Sequence, residues 1–207
     1  MLVLLAITLL TGAVYPLVIT GISKAGFRQQ AQGSLLKTDG KIVGSALVGQ
    51  KFSSPRYFHG RPSALERAYD AGNSGGGNFG PSNAKFLEEV GVRIEAVRRD
   101  NGLDGTTSIP PDLVLASASG LDPHISVEAA MIQIKRVTNA RKISESDVQD
   151  LMERLAEMPL LGFLGEKRIN VLKLNLALDK LSRVHSQSAF LNLKQQATGY
   201  EYTKRVY

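Results

Sequence analysis

Met1 to Ile22 is a run without one charged side chain. As a helix rising about 1.5 Å per residue it spans roughly 33 Å, close to the hydrocarbon thickness of a bilayer. Thr8, Thr11 and Thr20 fit such a helix because their hydroxyls can bond back to helix carbonyls. Pro16 is expected to kink it, which membrane helices tolerate. A cleaved signal peptide fits less well: no basic region precedes the run and no Ala-x-Ala site closes it. A core helix would be shorter or amphipathic. The chain is therefore expected to hold one membrane span at its N-terminus, in contact with lipid. Its first cations, Lys24 and Arg28, come after the span, and the positive-inside rule taken literally puts the C-terminal domain in the cytoplasm.

Of the 207 residues none is cysteine, which removes disulfides, zinc–thiolate sites and thiol nucleophiles. The formal charge of +6 is uneven: Lys180, Arg183, Lys194, Lys204 and Arg205 face one acid, Glu201, beyond residue 179. The basicity is thus largely a property of the tail, and it does not describe a nucleic-acid-binding face. No nucleic-acid partner is expected.

Gly33 to Asp39 reads as a linker out of the membrane. Lys41 to Phe52 is apolar and interrupted by glycine, a strand or two with a bend. Tyr57 to Ser63 reads as a strand end and turn, and Asn73 to Asn83 as a glycine-rich loop. A helix is expected from Ser82 or Asn83 with Leu87, Val90, Ile94 and Val97 inward. Ser126 opens another, with Ala130, Ile134 and Val137 inward. Ser144 opens a third, with Val148, Leu151, Met152 and Leu155 inward and Pro159 beyond its end. Arg168 to Leu172 is a strand candidate, and Leu174, Leu178 and Leu181 suit a last helix. The expected architecture is α/β, a mixed α+β domain with a small sheet, on one N-terminal transmembrane helix. Its parts are a span over 1–23, a domain over 24–182 and a basic extension over 183–207.

Ser117, Ser119, Asp122 and His124 lie within eight residues, the residue types of a serine hydrolase. The spacing argues against one. Such a site needs side chains converging from separate elements, and Pro123 holds its neighbours extended, where adjacent residues face opposite ways. Gly120 is expected to break an element, Asp122-Pro123 to turn the chain and Ser126 to cap a helix. Asn73 to Gly80 resembles a phosphate-cradling loop, with Gly75 and Gly76 at its centre. It lacks the Gly-Lys-Ser/Thr ending and the strand–Gly-x-Gly-x-x-Gly–helix unit of nucleotide motifs. His59, Gly60, Arg61 and Pro62 form a compact polar cluster in which Arg61 can pair with a carboxylate or phosphate, or simply fix a turn. Three scattered histidines make no metal site. Lys135-Arg136 and Arg141-Lys142 read as a solvated helix face or a docking patch for an acidic partner.

The segment Ser117-Ala118-Ser119-Gly120-Leu121-Asp122-Pro123-His124-Ile125-Ser126 resembles the signature of the C subunit of Kdp-type potassium-transporting ATPases. Further blocks fall in that family's order: Gly33 to Leu36, Gly44 to Phe52, Tyr57 to Ser63, Asn73 to Asn83, Asp112 to Ser126 around the signature, Arg136-Val137 with Ala140-Arg141, and Asn170 to Leu172 with Leu174 to Asp179. Leu115, Val127 and Lys167 depart from the pattern without breaking a block. The resemblance implies a single-span accessory subunit in an ATP-driven pump. Its partners would be a channel-like potassium-binding subunit and a P-type subunit that hydrolyses ATP. It implies a role in assembly, and action as a catalytic chaperone that raises ATP affinity, so that ATP would be shared with the hydrolysing subunit. Gln133 is then the counterpart of a proposed nucleotide contact, with Gly75 and Gly76 beside it, and His59, Arg61, Asp122 and His124 are interface candidates. The resemblance places the domain outside the cell, against the charge rule. A true start upstream of Met1, with a short basic lead, would reconcile the two. No phosphorylation motif or P-loop accompanies these blocks, and one span forms no ion path. A membrane-anchored hydrolase using Ser117 or Ser119 with His124 or His59, or an anion-binding domain, is the alternative.

Overall fold

A computed structural model describes residues 1–183. The chain forms two compact units, the first Met1–Leu47 and the second beginning at Val48. The predicted basic extension, apart from Arg183, lies outside the described residues.

In the first unit, helix α1 runs Leu2–Gly26, apolar and with none of its most apolar window buried by protein. Pro16 has no N–H to give the carbonyl four residues back. The helix absorbs this in a π-helical turn over Leu10–Val14. Thr11 Oγ1 donates to Ile7 O at 2.8 Å, the back-bond expected of a threonine in an apolar helix. A short helix, α2 (Arg28–Ala31), comes next.

The expected linker is in part a strand. β1 (Leu35–Thr38) pairs antiparallel with β2 (Lys41–Ser45), with a register shift between Leu36 and Lys37. Asp39 and Gly40 connect them with φ of +51° and +75°. Two left-handed residues match the twist of a two-residue hairpin, and Asp-Gly is the sequence that adopts them most readily.

The second unit is α+β with a minimal sheet. α3 (Ala84–Asn101) starts where expected, because Asn83 Oδ1 accepts the Phe86 N–H at 3.0 Å. It ends at Gly102 in the left-handed conformation. Val90, Ile94 and Val97 pack on the core, but Leu87 is exposed. β3 (His124–Ser126) runs antiparallel to β4 (Arg168–Asn170), with Ile125 opposite Ile169. β3 leads directly into α4 (Val127–Arg141), capped by Ser126 Oγ on Ala129 N at 3.0 Å. Asp112 accepts from both the N–H and the hydroxyl of Ser126, which fixes this junction to the turn at Pro111–Leu113. α5 (Glu145–Leu155) is capped by Ser144. The strand expected to reach Leu172 ends at Asn170, because Asn170 Oδ1 takes the Lys173 N–H at 3.1 Å and starts helix α6 over 171–183.

The core lies where α4, α5, α6 and the β3–β4 pair meet. Ala130, Ile134 and Val137 of α4 face Val148 and Met152 of α5 and Leu174 and Leu178 of α6. Phe58, fully buried, reaches this core from a segment with no regular structure.

Candidate functional site

Buried Phe58 and the half-buried residues beside it have no β-ladder, so their backbone must find other partners. Residues 55–59 find them in side chains. Gln133 Oε1 accepts the His59 N–H at 2.7 Å, and its Nε2 donates to His59 O and to Ala129 O, each at 3.1 Å. Asn175 does the same for Phe58, accepting its N–H at 2.9 Å and donating to its carbonyl at 3.0 Å. Arg136 Nη1 donates to Pro55 O at 2.9 Å and Tyr57 O at 3.0 Å. Arg141 Nε donates to Arg56 O, and its guanidinium lies 4.7 Å from the centre of the Tyr57 ring. Arg141 is also held by Asp179 at 2.8 Å and Ser182 at 3.0 Å.

The solvated-face reading of the two basic pairs holds for Lys135 and Lys142, which are exposed, and fails for the two arginines. Arg136 and Arg141 do not form a solvated face; with Gln133 and Asn175 they grip the chain that carries Phe58 and His59. Gln133 is 1% exposed. Arg136 Nη2 donates to its oxygen at 2.7 Å, so all four of its hydrogen-bonding positions are filled. A nucleotide contact by this side chain requires the clamp to open first.

The other candidates gather elsewhere. Arg61 Nη1 is 3.2 Å from Asp122 Oδ2. Asp122 Oδ1 accepts the His124 N–H at 3.0 Å and is 3.3 Å from His124 Nδ1. His124 Nε2 is 3.5 Å from Glu157 Oε2, and Glu157 also meets Lys173 at 2.9 Å and Arg168 at 3.3 Å. The network ties the start of β3 to the chain between α5 and β4. Arg61, Asp122, His124 and Arg168 line an open cleft of about 1020 Å³, together with Asp112, Met131 and Ile132. Burial alone would raise the pKa of Asp122 and of Glu157. Hydrogen bonds from His124 and the charge of Arg61 outweigh it at Asp122, and Lys173 and Arg168 outweigh it at Glu157, so both are lowered. Both stay ionised at neutral pH. What they add to stability is lost only in acid, as pH falls through those lowered values.

Asp122 and His124 do meet, because residues two apart in an extended chain share a face. The serines do not join them: the Ser117 and Ser119 hydroxyls lie 3.3 Å from each other, and both imidazole nitrogens face carboxylates. The glycine loop packs against this same segment. The Gly75 N–H donates to Ser119 O at 3.0 Å, and a Cβ on Gly76 would sit 3.0 Å from Ala118 O. Gly120, with φ of +67°, would place a Cβ 2.6 Å from Leu65. Gly75 and Gly76 thus lie against the signature segment, with the Gly75 amide committed to it. His59 stands apart from Arg61, Asp122 and His124, on the Gln133 clamp. The sequence reading did not single out Glu157, Lys173 or Asn175 as site residues. Asn175 left a signal, a polar residue one position from buried Leu174; Glu157, in an irregular stretch after a helix, left none.

His59 lies beside Arg136. Burial first, then the Arg136 charge, lowers its pKa below 6.5, against smaller opposing effects of Ser54 and Asp100. The imidazole is neutral in the fold, so the unfolded chain takes up the proton first. The His59 contribution is complete above 6.5, declines as pH falls below it and stops declining below the folded value. We expect the NMR titration midpoint of His59 to fall below 6.5 and the urea midpoint of the full chain to begin dropping in that window. A midpoint at or above 6.5 contradicts this placement.

One apolar helix of membrane-spanning length, joined to a small α+β body that uses buried polar side chains to hold its own backbone, defines the class of membrane-anchored proteins with one span and a folded domain. Residues 1–180 match the family described as KdpC, the c chain of the K⁺-transporting ATPase. The protein of Geobacter sulfurreducens named potassium-transporting ATPase KdpC subunit is 56% identical over 183 residues, covering 87% of this chain and 95% of its own. The proteins of that name from Methylococcus capsulatus and Mycobacterium tuberculosis (strain H37Rv) are 51% and 49% identical, over 87% and 86% of this chain and 95% and 94% of theirs. The chain belongs to the KdpC family.

Proposed function

We propose that this chain is the non-catalytic accessory subunit of a potassium-transporting ATPase, that it stabilises the assembled pump and that its folded body lies outside the cell. The observation that carries this is the extent of the family match, which runs through α1 and the domain together as far as residue 180. The membrane helix supplies one docking element and the domain the other. Its partners are then a channel-like potassium-binding subunit and a P-type ATP-hydrolysing subunit. Arg61, Asp122 and His124 line the open cleft and are the residues we place at a subunit contact. His59 acts behind them by shaping the clamped segment. We place any effect on ATP affinity in the assembled pump, with this chain acting through its contacts. Direct nucleotide contact at Gln133, Gly75 and Gly76 is the narrower reading, and it requires groups now bonded internally to be released.

The test is to tag the C-terminus, solubilise membranes of potassium-starved cells in mild detergent and identify what co-purifies. Recovery of a P-type ATPase and a large multispan subunit, with K⁺-stimulated ATP hydrolysis, is the expected result. Recovery of the chain alone overturns the reading, and labelling of Ser117 or Ser119 by a serine-reactive phosphonate would then favour the hydrolase alternative.

A further inference from the structure

Between α5 and β4 the chain makes a small hairpin that buries almost nothing. From Met158 to Gly165 it reads Met-Pro-Leu-Leu-Gly-Phe-Leu-Gly, with no charged or hydrogen-bonding side chain. Met158, Leu160, Leu161 and Phe163 are each 70–76% exposed, and Leu164 is 50% exposed. The loop is nonetheless held in one shape. Leu160 and Leu164 exchange backbone hydrogen bonds at 3.0 and 2.9 Å, and the Gly162 N–H donates to Pro159 O at 3.0 Å. Leu161 sits at φ +56°, a conformation unfavourable for a leucine. Five large apolar side chains are thus held together in water around a closed turn. Single exposed apolar residues are ordinary, but a contiguous cluster marks a contact surface.

We infer that the Met158–Leu164 hairpin is a second membrane contact, which inserts its apolar tip into the interfacial region of the bilayer. Three observations favour lipid as the occupant. The chain already carries a helix of membrane-spanning length, which tethers the second unit, beginning at Val48, to a bilayer. The tip is a convex turn with nothing to donate or accept in its side chains, which suits a fluid apolar medium and gives a protein surface no polar handle. Glu166 and Lys167, both exposed, follow the turn without net charge, a polar collar that can stay in water while the apolar tip enters the interface. The inference needs only the membrane anchor and does not depend on the pump reading.

The chain contains no tryptophan, so an introduced indole is a unique probe. The full-length Phe163→Trp chain would be reconstituted into vesicles of neutral and anionic phospholipid. A second chain, Leu87→Trp, places the indole on the exposed face of α3 as the control. The expected result is a blue-shifted emission for Phe163→Trp, with about a twofold loss of intensity when the lipids are brominated high on the acyl chain. Leu87→Trp should show neither, and adding Leu161→Asn to the Phe163→Trp chain should reverse most of the effect. Equal quenching of both probes by aqueous acrylamide, with no effect of brominated lipid, overturns the inference. So does shielding of the Phe163→Trp probe only in the assembled pump in detergent, which would show that another subunit covers the hairpin.

Discussion

Replacing Gln133 with alanine is expected to destabilise the domain by about 3–4 kcal/mol, the largest effect of any substitution among the residues first considered as ligand contacts. The change strands the half-buried N–H and carbonyl of His59 and removes a partner from Arg136. Each buried group left without a partner costs about 1–3 kcal/mol, and truncation leaves a void in a packed region. With a slope of about 1–3 kcal/mol per molar urea, the midpoint of the full chain followed by circular dichroism should fall by more than about 1 M. Gln133→Glu keeps the acceptor toward His59 N but turns a carboxylate oxygen on the carbonyls of His59 and Ala129, so it should not rescue. A residue kept for nucleotide would behave differently: the urea midpoint would hold and the ATP requirement of the assembled pump would rise. That outcome would sink the clamp account.

Arg141→Ala is the second large effect, expected at about 2–4 kcal/mol by the same unfolding measurement. The Arg141 side chain is 1% exposed, whereas that of Asp179 is 37% exposed. Solvent can therefore take over much of the carboxylate's loss, and little of the effect comes from the ion pair itself. The larger part comes from the void that removal of the buried Arg141 side chain leaves and from the stacking lost on Tyr57, with the bond to Arg56 O adding less because Arg56 is exposed. Arg141→Lys should recover less than half. One ammonium cannot serve the acceptors from Arg56, Asp179 and Ser182 with the fixed fork of a guanidinium, and it stacks less well on the ring. A change below about 0.5 kcal/mol in Arg141→Ala would show that the 55–59 segment is held by its apolar packing alone.

Both predictions depend on side chains acting where a strand would ordinarily act. Three helix caps are legible because each is a local event: Asn83, Ser126 and Ser144 all precede an apolar period of helical spacing, and each caps a helix. The hairpin at Asp39-Gly40 is equally local, and its turn dipeptide stands in plain view at the edge of a stretch that reads as a linker. The end of β4 is harder. Ile169, Asn170, Val171 and Leu172 suit a strand by composition; the Val171 N–H still bonds Pro123 O across from β3, and it is the Asn170 cap on Lys173 that turns the chain into a helix.

The membrane helix is legible without coordinates, since 22 uncharged residues leave an apolar helix few other places to go. So are the inward faces of α4 and α5, because period and hydrophobicity are written along one element. The family is legible too, through blocks whose order needs no coordinates. Which polar residues stand together follows from the folded arrangement. Gln133, Asn175, Arg136 and Arg141 converge on residues 55–59 from helices distant in sequence, and Asp122, His124 and Glu157 meet across a strand and the stretch after α5. Helical or strand period says which way a side chain faces along its own element. It carries no information about which distant backbone carbonyl lacks a donor, and that need chose these partners.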